Sequence, residues 1–287
     1  MARSSTEVTA VITWFGEHAR ALPWRESQVT PWGILVSEFM LQQTQVDRVI
    51  PKWEQWMREW PTPAELAAAP IADVLLAWQG LGYPRRALRL HSAAQAIVDN
   101  WQGEVPCEES ALLMLPGVGH YTAAAVAAFA YGQPTVVLDT NIRRVIARAW
   151  GGQAAMPAHL TNAERALAAG LVTETTGARW SAAVMELGAV VCTARAPKCQ
   201  ECPLQGSCLW LAAGQPQNGP QARRQPHFEG SDRQARGTLL RAVSGGGEIS
   251  AIEEAWADVQ QRERALESLV ADGLIARTPM GYALPTN

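Results

Sequence analysis

Four cysteines fall within one short run, CTARAPKCQECPLQGSC, at Cys192, Cys199, Cys202 and Cys208. Their C-x6-C-x2-C-x5-C spacing ties one loop to a single point, whatever the rest of the chain does. The N-terminus, MARSSTEVTAVITWFGEHAR, carries charges inside its apolar pattern and does not read as a secretory signal. Clustered thiols in such a chain favour metal over disulfides. Zinc usually shows two separated C-x2-C knuckles. A single C-x2-C inside a longer wrap suits a compact cube of iron and sulfide reached from one loop, with zinc as the alternative. Cys107 lies far off and reads as a plain structural thiol.

The chain of 287 residues is 48% hydrophobic and 18% charged, enough for two domains and a sizeable core. It contains no run of about 18 uncharged apolar residues, so no membrane span is expected, and the expected compartment is the cytoplasm. Val8, Val11, Ile12, Phe15 and Ala19 recur at helical spacing, which predicts a helix over 5–22. Further helices are expected near 32–48, 49–59, 63–67, 71–79, 84–100, 108–114, 120–131, 138–149, 161–175 and 179–191. Strand-like alternation is nearly absent, so this region is mainly α. A Pro-, Gly-, Gln- and Arg-rich stretch then reads as a linker over 213–232. Three short helices and two short strands around a Met-Gly turn follow, the order of a winged-helix-like module over 233–287.

The net charge of -3 argues weakly against nucleic acid, but local clusters matter more. Arg85, Arg86, Arg89 and His91 stand together in PRRALRLH, and Arg143, Arg144 and Arg148 in NIRRVIAR; a solvated helix face is the plainer reading of each. Most of the twelve tryptophans are expected in the core. The turn LPGVG (115–119) sits between two apolar helical segments. Gly117 and Gly119 permit backbone conformations closed to other residues, and with the next helix N-terminus they can present N–H groups to a phosphate. A tight helix–helix turn explains the same residues.

Several motifs in order resemble those of MutY-type adenine DNA glycosylases, in the helix-hairpin-helix superfamily that also holds endonuclease III. They are LPW (22–24), SEFMLQQTQV (37–46), GLGYPRRA (80–87), LPGVGHYTA (115–123), VLDTNIRRV (137–145), MELGAVVC (185–192) and the four-cysteine loop. The match covers roughly residues 22–210. It implies a helical barrel domain over 25–135 with the helix-hairpin-helix. A second helical domain, 1–24 with 136–212, would carry a 4Fe–4S cluster on Cys192, Cys199, Cys202 and Cys208. The target base would be flipped out of the duplex.

The resemblance also implies roles. Glu38, on a helix with Ile34, Leu35, Phe39 and Met40, would protonate adenine at N7; general acid help of this kind is worth about 10²–10⁴ in rate. Asp139 would stabilise the oxocarbenium-like sugar or bond to it, beyond its plain use as a helix N-cap. Asn141 would orient Glu38 and the water. Tyr121 stands where bifunctional relatives carry a lysine; a phenol forms no Schiff base, so the enzyme would leave an abasic site without cutting the strand. Gln43, Thr44, Leu81 and Tyr83 would wedge into or contact the duplex. Gly117, Val118, Gly119 and His120 would hold its backbone, and Trp24 and Arg25 would edge the base pocket.

Two departures stand out. Ala182 replaces a Glu or Gln that helps to hold adenine in most relatives. The Nudix-like domain that recognises 8-oxoguanine is replaced by residues 233–287, with no Phe-Ser-His loop. Arg223, Arg224, Arg233, Arg236 and Arg241 cluster at the entry to this module, which suggests a generic DNA clamp swinging on its linker. The expected function is a monomeric, monofunctional adenine glycosylase in base excision repair. Its partner would be double-stranded DNA carrying adenine opposite 8-oxoguanine or guanine, on the nucleoid. A thymine glycosylase for T·G mispairs and a catalytically idle lesion sensor are the alternatives.

Overall fold

The computed structural model describes residues 2–218 and 227–286. Arg223, Arg224 and the middle of the expected linker lie outside the described residues. In chain order the helices are α1 (Ala2–His18), α2 (Pro31–Leu41), α3 (Val46–Glu59), α4 (Pro63–Ala68), α5 (Ile71–Ala77), α6 (Arg85–Trp101), α7 (Glu109–Leu112) and α8 (His120–Tyr131). Then come α9 (Thr140–Ala149), α10 (Asn162–Ala169), α11 (Gly177–Val190), α12 (Leu209–Ala212), α13 (Asp232–Ser244), α14 (Ile249–Ala255) and α15 (Val259–Ala271). Two strands, β1 (Ala276–Thr278) and β2 (Gly281–Ala283), pair antiparallel, with Ala276 opposite Ala283 and Thr278 opposite Gly281. No helix among the described residues is long and apolar enough to cross a membrane.

The fold divides into two units. The first comprises Met1–Ile34, Cys107–Met114 and Val118–Arg223. Its core joins Val8 and Val11 of α1, Ile142, Val145 and Ile146 of α9, and Trp180, Val184 and Leu187 of α11. These residues recur three or four apart on each helix, so each helix offers one apolar stripe to the others. Helix α10 starts at a capping box: Thr161 Oγ1 accepts from Glu164 N, and Glu164 accepts from Thr161 N at 2.9 Å. Glu164 also pairs with Arg143 at 2.9 Å, which docks α10 on α9.

The second unit comprises Leu35–Pro106, Leu115–Gly117 and Arg224–Asn287. Trp56 meets Trp60 and Trp78 edge-on, at centroid distances of 4.6 and 5.5 Å. Thr62 and Glu65 form a second capping box that starts α4, which packs along α6. The predicted helix over 32–48 is broken, because α2 stops at Leu41 and Gln43 turns left-handed at φ 57°. The C-terminal module has the expected three helices and hairpin, built around Leu239, Val243, Ile252, Leu266 and Leu269.

The module meets α6 through one carboxylate. Asp272, just past α15, accepts from Arg236 of α13 at 2.7 Å and pairs with Arg85 at the start of α6 at 3.3 Å. One carboxylate thus fastens the module both to itself and to α6. A Cβ on Gly273 would meet Leu88 of the same helix at 4.0 Å.

Candidate active site and cluster loop

Asp139 is the N-cap of α9. Its Oδ1 accepts from Ile142 N at 2.6 Å and its Oδ2 from Asn141 Nδ2 at 2.8 Å. Burial pushes the carboxyl above its ordinary value; the Ile142 and Asn141 donors and the Arg144 charge pull the other way without cancelling it. Arg144 Nη2 donates to Asn141 Oδ1 at 2.7 Å, so Asn141 is held at both ends of its amide. Asn141 thus positions Asp139 directly. Helix α11 comes in close behind: a Cβ on Gly188 would stand 2.7 Å from Asn141 Cβ and 2.8 Å from Asn141 O. Only a glycine lets these helices meet there.

Arg144 continues toward the cysteines. Its Nε donates to Cys192 O and its Nη2 to Gly188 O, both at 2.7 Å. Arg148, one turn on, donates to Ala154 O, Thr193 O and Ala194 O and lies 3.4 Å from Cys192 Sγ. Its guanidinium also covers the Trp210 ring at 4.4 Å. The NIRRVIAR cluster is therefore no solvated face: Arg144 and Arg148 are buried and organise the loop that follows α11.

Cys192, Cys199, Cys202 and Cys208 line one pocket, together with Arg148, Val191, Pro197, Gln205, Trp210 and Leu211. Gln215 Nε2 donates to Cys199 Sγ at 3.3 Å. Burial pushes the Cys202 thiol up to about 12 and raises that of Cys208. Four thiolates could not gather there unless a cationic group offset their charge. Among the described residues no three candidate ligands stand close enough to hold a single ion. That spacing is compatible with the four-sulfur pocket, since an iron–sulfur cluster has its own width and its ligands stand farther apart than around one zinc. The donor set fits a 4Fe–4S cluster.

Glu38 is buried at 5% exposure on α2, beside Leu35, Phe39 and Met40, which are fully buried. In the same unit, Gln43 and Tyr83 are exposed and both left-handed, at φ 57° and 48°. Such conformations cost of order 1–3 kcal/mol each in a non-glycine residue and persist only when the surroundings enforce them. Arg86 braces the residues on either side of Gln43 and those before Tyr83. Its Nη1 donates to Phe39 O and Met40 O at 2.7 and 3.0 Å. Its Nη2 donates to Thr44 Oγ1, Leu81 O and Gly82 O at 2.9, 3.1 and 2.9 Å. Thr44 Oγ1 reaches Leu81 O at 3.0 Å, closing the link between the two loops, and Leu81 itself is buried. Burial brings the Arg86 guanidinium down to about 10, with Tyr83 opposing.

Gly117 has φ 82°, and a Cβ there would lie 2.8 Å from Arg89 Cβ and 3.0 Å from Phe39 Cε1. Gly119 differs from the expectation: its φ of -102° is ordinary extended backbone, and a Cβ there would meet open space. Val118 is buried, His120 opens α8 on the surface, and Tyr121 packs partly into the first unit's core. Trp24 is buried in a short 3-10 turn. Arg25 Nη2 donates to Glu186 Oε2 at 2.9 Å, and Arg20 grips the same carboxylate at 2.6 and 2.9 Å. Burial raises the Glu186 carboxyl, but the Arg20 bond and the Arg25 charge outweigh it and hold it below the ordinary value.

Residues 36–167 match the HhH-GPD superfamily of base excision DNA repair proteins, and residues 192–208 match the iron–sulfur binding domain of endonuclease III. The chain is 50% identical to an adenine DNA glycosylase of Mycobacterium tuberculosis, over 96% of this chain and 93% of that one. The chain belongs to the adenine DNA glycosylase family. The human adenine DNA glycosylase is 39% identical over 72% of this chain and 40% of its own length. Among solved structures, a thermostable thymine-DNA glycosylase superposes with a TM-score of 0.66 at 26% identity, covering 74% of this chain and all of that one.

Within this chain, sequence reasoning misses Arg86, Arg144, Arg148 and Glu186 as organisers. Arg86 stands beside Arg85 and Arg89, which are exposed, but its spacing with Leu90, Ala93 and Ile97 places it on the buried face of α6. The i, i+4, i+7 pattern was the available signal.

Proposed function

We propose that this chain is a monofunctional glycosylase that hydrolyses the N-glycosidic bond of adenine mispaired with 8-oxoguanine or guanine in duplex DNA, acting as a monomer on nucleoid DNA. The observation that carries the reading is Asp139, a half-buried carboxylate held in place by Ile142 and Asn141 yet raised above its ordinary value. Its neutral donors fix its direction without fully quenching its charge. It then stabilises the cationic sugar as the base leaves, an effect of the kind preorganised electrostatics supplies. Glu38, buried on α2, gives a proton to adenine N7. Trp24 and Arg25 edge the base, Gln43, Thr44, Leu81 and Tyr83 contact the opened duplex, and Gly117, Val118, Gly119 and His120 hold its backbone. Tyr121 has no amine, so water rather than an imine resolves the sugar. The cluster, when bound, supplies a rigid, charge-compensated anchor for residues 192–208.

The test uses duplexes carrying A·8-oxoguanine, A·G, A·C and T·G, each with and without alkali. Adenine release from the first two, with strand breaks appearing only after alkali, is the expected result. Faster thymine release from T·G would replace this reading with thymine glycosylase activity. No base release from any duplex would leave only the lesion-sensing role.

A further inference from the structure

The helix that opens the C-terminal module runs up to the residue we place in the opened duplex. Arg233, in the first turn of α13, donates from Nη1 to Tyr83 OH at 3.4 Å. Its guanidinium lies over the Phe228 ring at 5.0 Å, while Arg86 lies under the Tyr83 ring at 5.8 Å. Tyr83 and Phe228 are 41% and 52% exposed, large fractions for aromatic side chains. The surface therefore reads Phe228, Arg233, Tyr83: two aromatics with a cation between them. Its alignment does not rest on the long Arg233 contact alone, because the Asp272 bridge from Arg236 to Arg85 docks α13 beside the start of α6, two residues after Tyr83.

Arg233 is also uncommitted. Arg236, Arg262 and Arg264 each have a carboxylate partner. Among the described residues no carboxylate is paired with Arg233. A guanidinium carries five donors, and the tyrosine hydroxyl takes one. A planar cation with free donors, lying over one aromatic face and beside a second ring's hydroxyl, matches a phosphate beside an unstacked base. Asp232 shares the first turn of α13 with Arg233, but its Oδ1 accepts from Gln261 Nε2 at 2.8 Å and pairs with Arg264 at 3.7 Å. Glu248, Glu253, Glu254, Glu263 and Glu267 lie on α14 and α15 or just before them.

We propose that Phe228 and Arg233 form, with Tyr83, one contact surface for duplex DNA, in which Arg233 takes a backbone phosphate beside the base step that Tyr83 enters. This rests on the reading of Tyr83 as a duplex-contacting residue. The C-terminal module is then a fixed part of the DNA-binding face rather than a tethered arm.

The experiment measures binding by the full-length protein, cluster loaded, to a duplex whose target adenosine carries a 2′-fluoro group that resists hydrolysis, across a range of salt. Arg233→Ala is expected to weaken binding about tenfold and to make the log–log salt slope shallower by about one, the signature of one lost phosphate contact. Tyr83→Ala should also weaken binding, and the Arg233→Ala/Tyr83→Ala double variant should lose clearly less than the product of the two single effects. Arg233 is exposed, so an unchanged melting temperature in Arg233→Ala is the control for folding. Unchanged affinity and salt slope in Arg233→Ala, or independent effects in the double variant, overturns the proposal. Failure of the catalytic reading would show separately, as absence of adenine release by the wild type from the ordinary duplex.

Discussion

Two carboxylates in the first unit, one half-buried and one fully buried, meet opposite fates. Asp139, at the start of α9, is raised above its ordinary value; Glu186, in the middle of α11, is held below it. Both lose solvation. Glu186 regains it from two guanidinium groups in direct contact, a pairing that favours the ionised form strongly enough to outweigh burial. Asp139 regains it mainly from a backbone N–H and an asparagine amide; Arg144 makes no hydrogen bond to it, holding Asn141 instead and adding the smallest of the stabilising effects through its charge. A carboxylate with two arginines on it is a fixed counter-ion. A carboxylate held by neutral donors is aimed but keeps appetite for another cation. The difference separates a structural acid from one suited to a cationic sugar.

Breaking the comparison at Asp139 gives the largest expected effect. Asp139→Asn should lower single-turnover adenine release by roughly a thousandfold or more, about 4 kcal/mol or above. A rate within tenfold of wild type would remove Asp139 from the chemistry. Glu186→Ala should act the other way round, on stability. It strands two partly buried guanidinium groups and should cost about 3 kcal/mol, read as a lower urea midpoint. The folded fraction should keep measurable base release.

Gly188→Ala sharpens the contrast with a smaller change. The added methyl collides with Asn141 and should cost roughly 1–3 kcal/mol, as overpacking does. Because Asn141 aims Asp139, the rate per folded molecule should fall too. Unaltered kinetics would mean that the orientation of Asn141 does not matter. The smallest effect is in pH dependence, and its signs differ. Asp139 has a raised value, so its contribution to stability is full below about 3.8 and is lost as pH rises through its folded value. Glu186 has a depressed value, so its contribution is full above about 4.5 and is lost as pH falls through its folded value. Melting curves should therefore show the deficit of Glu186→Gln shrinking on acidification, and Asp139→Asn gaining on wild type as pH rises from about 4 to 7.

Most helices were legible from apolar spacing, because each buries one stripe: α3 through Val49, Trp53 and Trp56, α9 through Ile142, Val145 and Ile146. The cysteine loop was legible because ligand spacing is a local constraint. The break after Leu41 was not, since nothing in QQTQ demands a left-handed residue; Arg86, more than forty positions on, does. The basic clusters misled for a related reason. Charge count does not say which face an arginine occupies, and Arg86, Arg144 and Arg148 donate to backbone carbonyls that only the folded chain brings together. Docking of the C-terminal module was equally hidden, because it turns on a single carboxylate, Asp272, finding Arg85.

Arg86 holds five oxygens, from the end of α2 and the two loops, with one flat fork. In genetic terms it is a point of forced epistasis. A lysine at 86 keeps the charge but cannot span the fork, so a single codon change there should mimic simultaneous damage at 43 and 83. No single second-site suppressor in either loop could restore both.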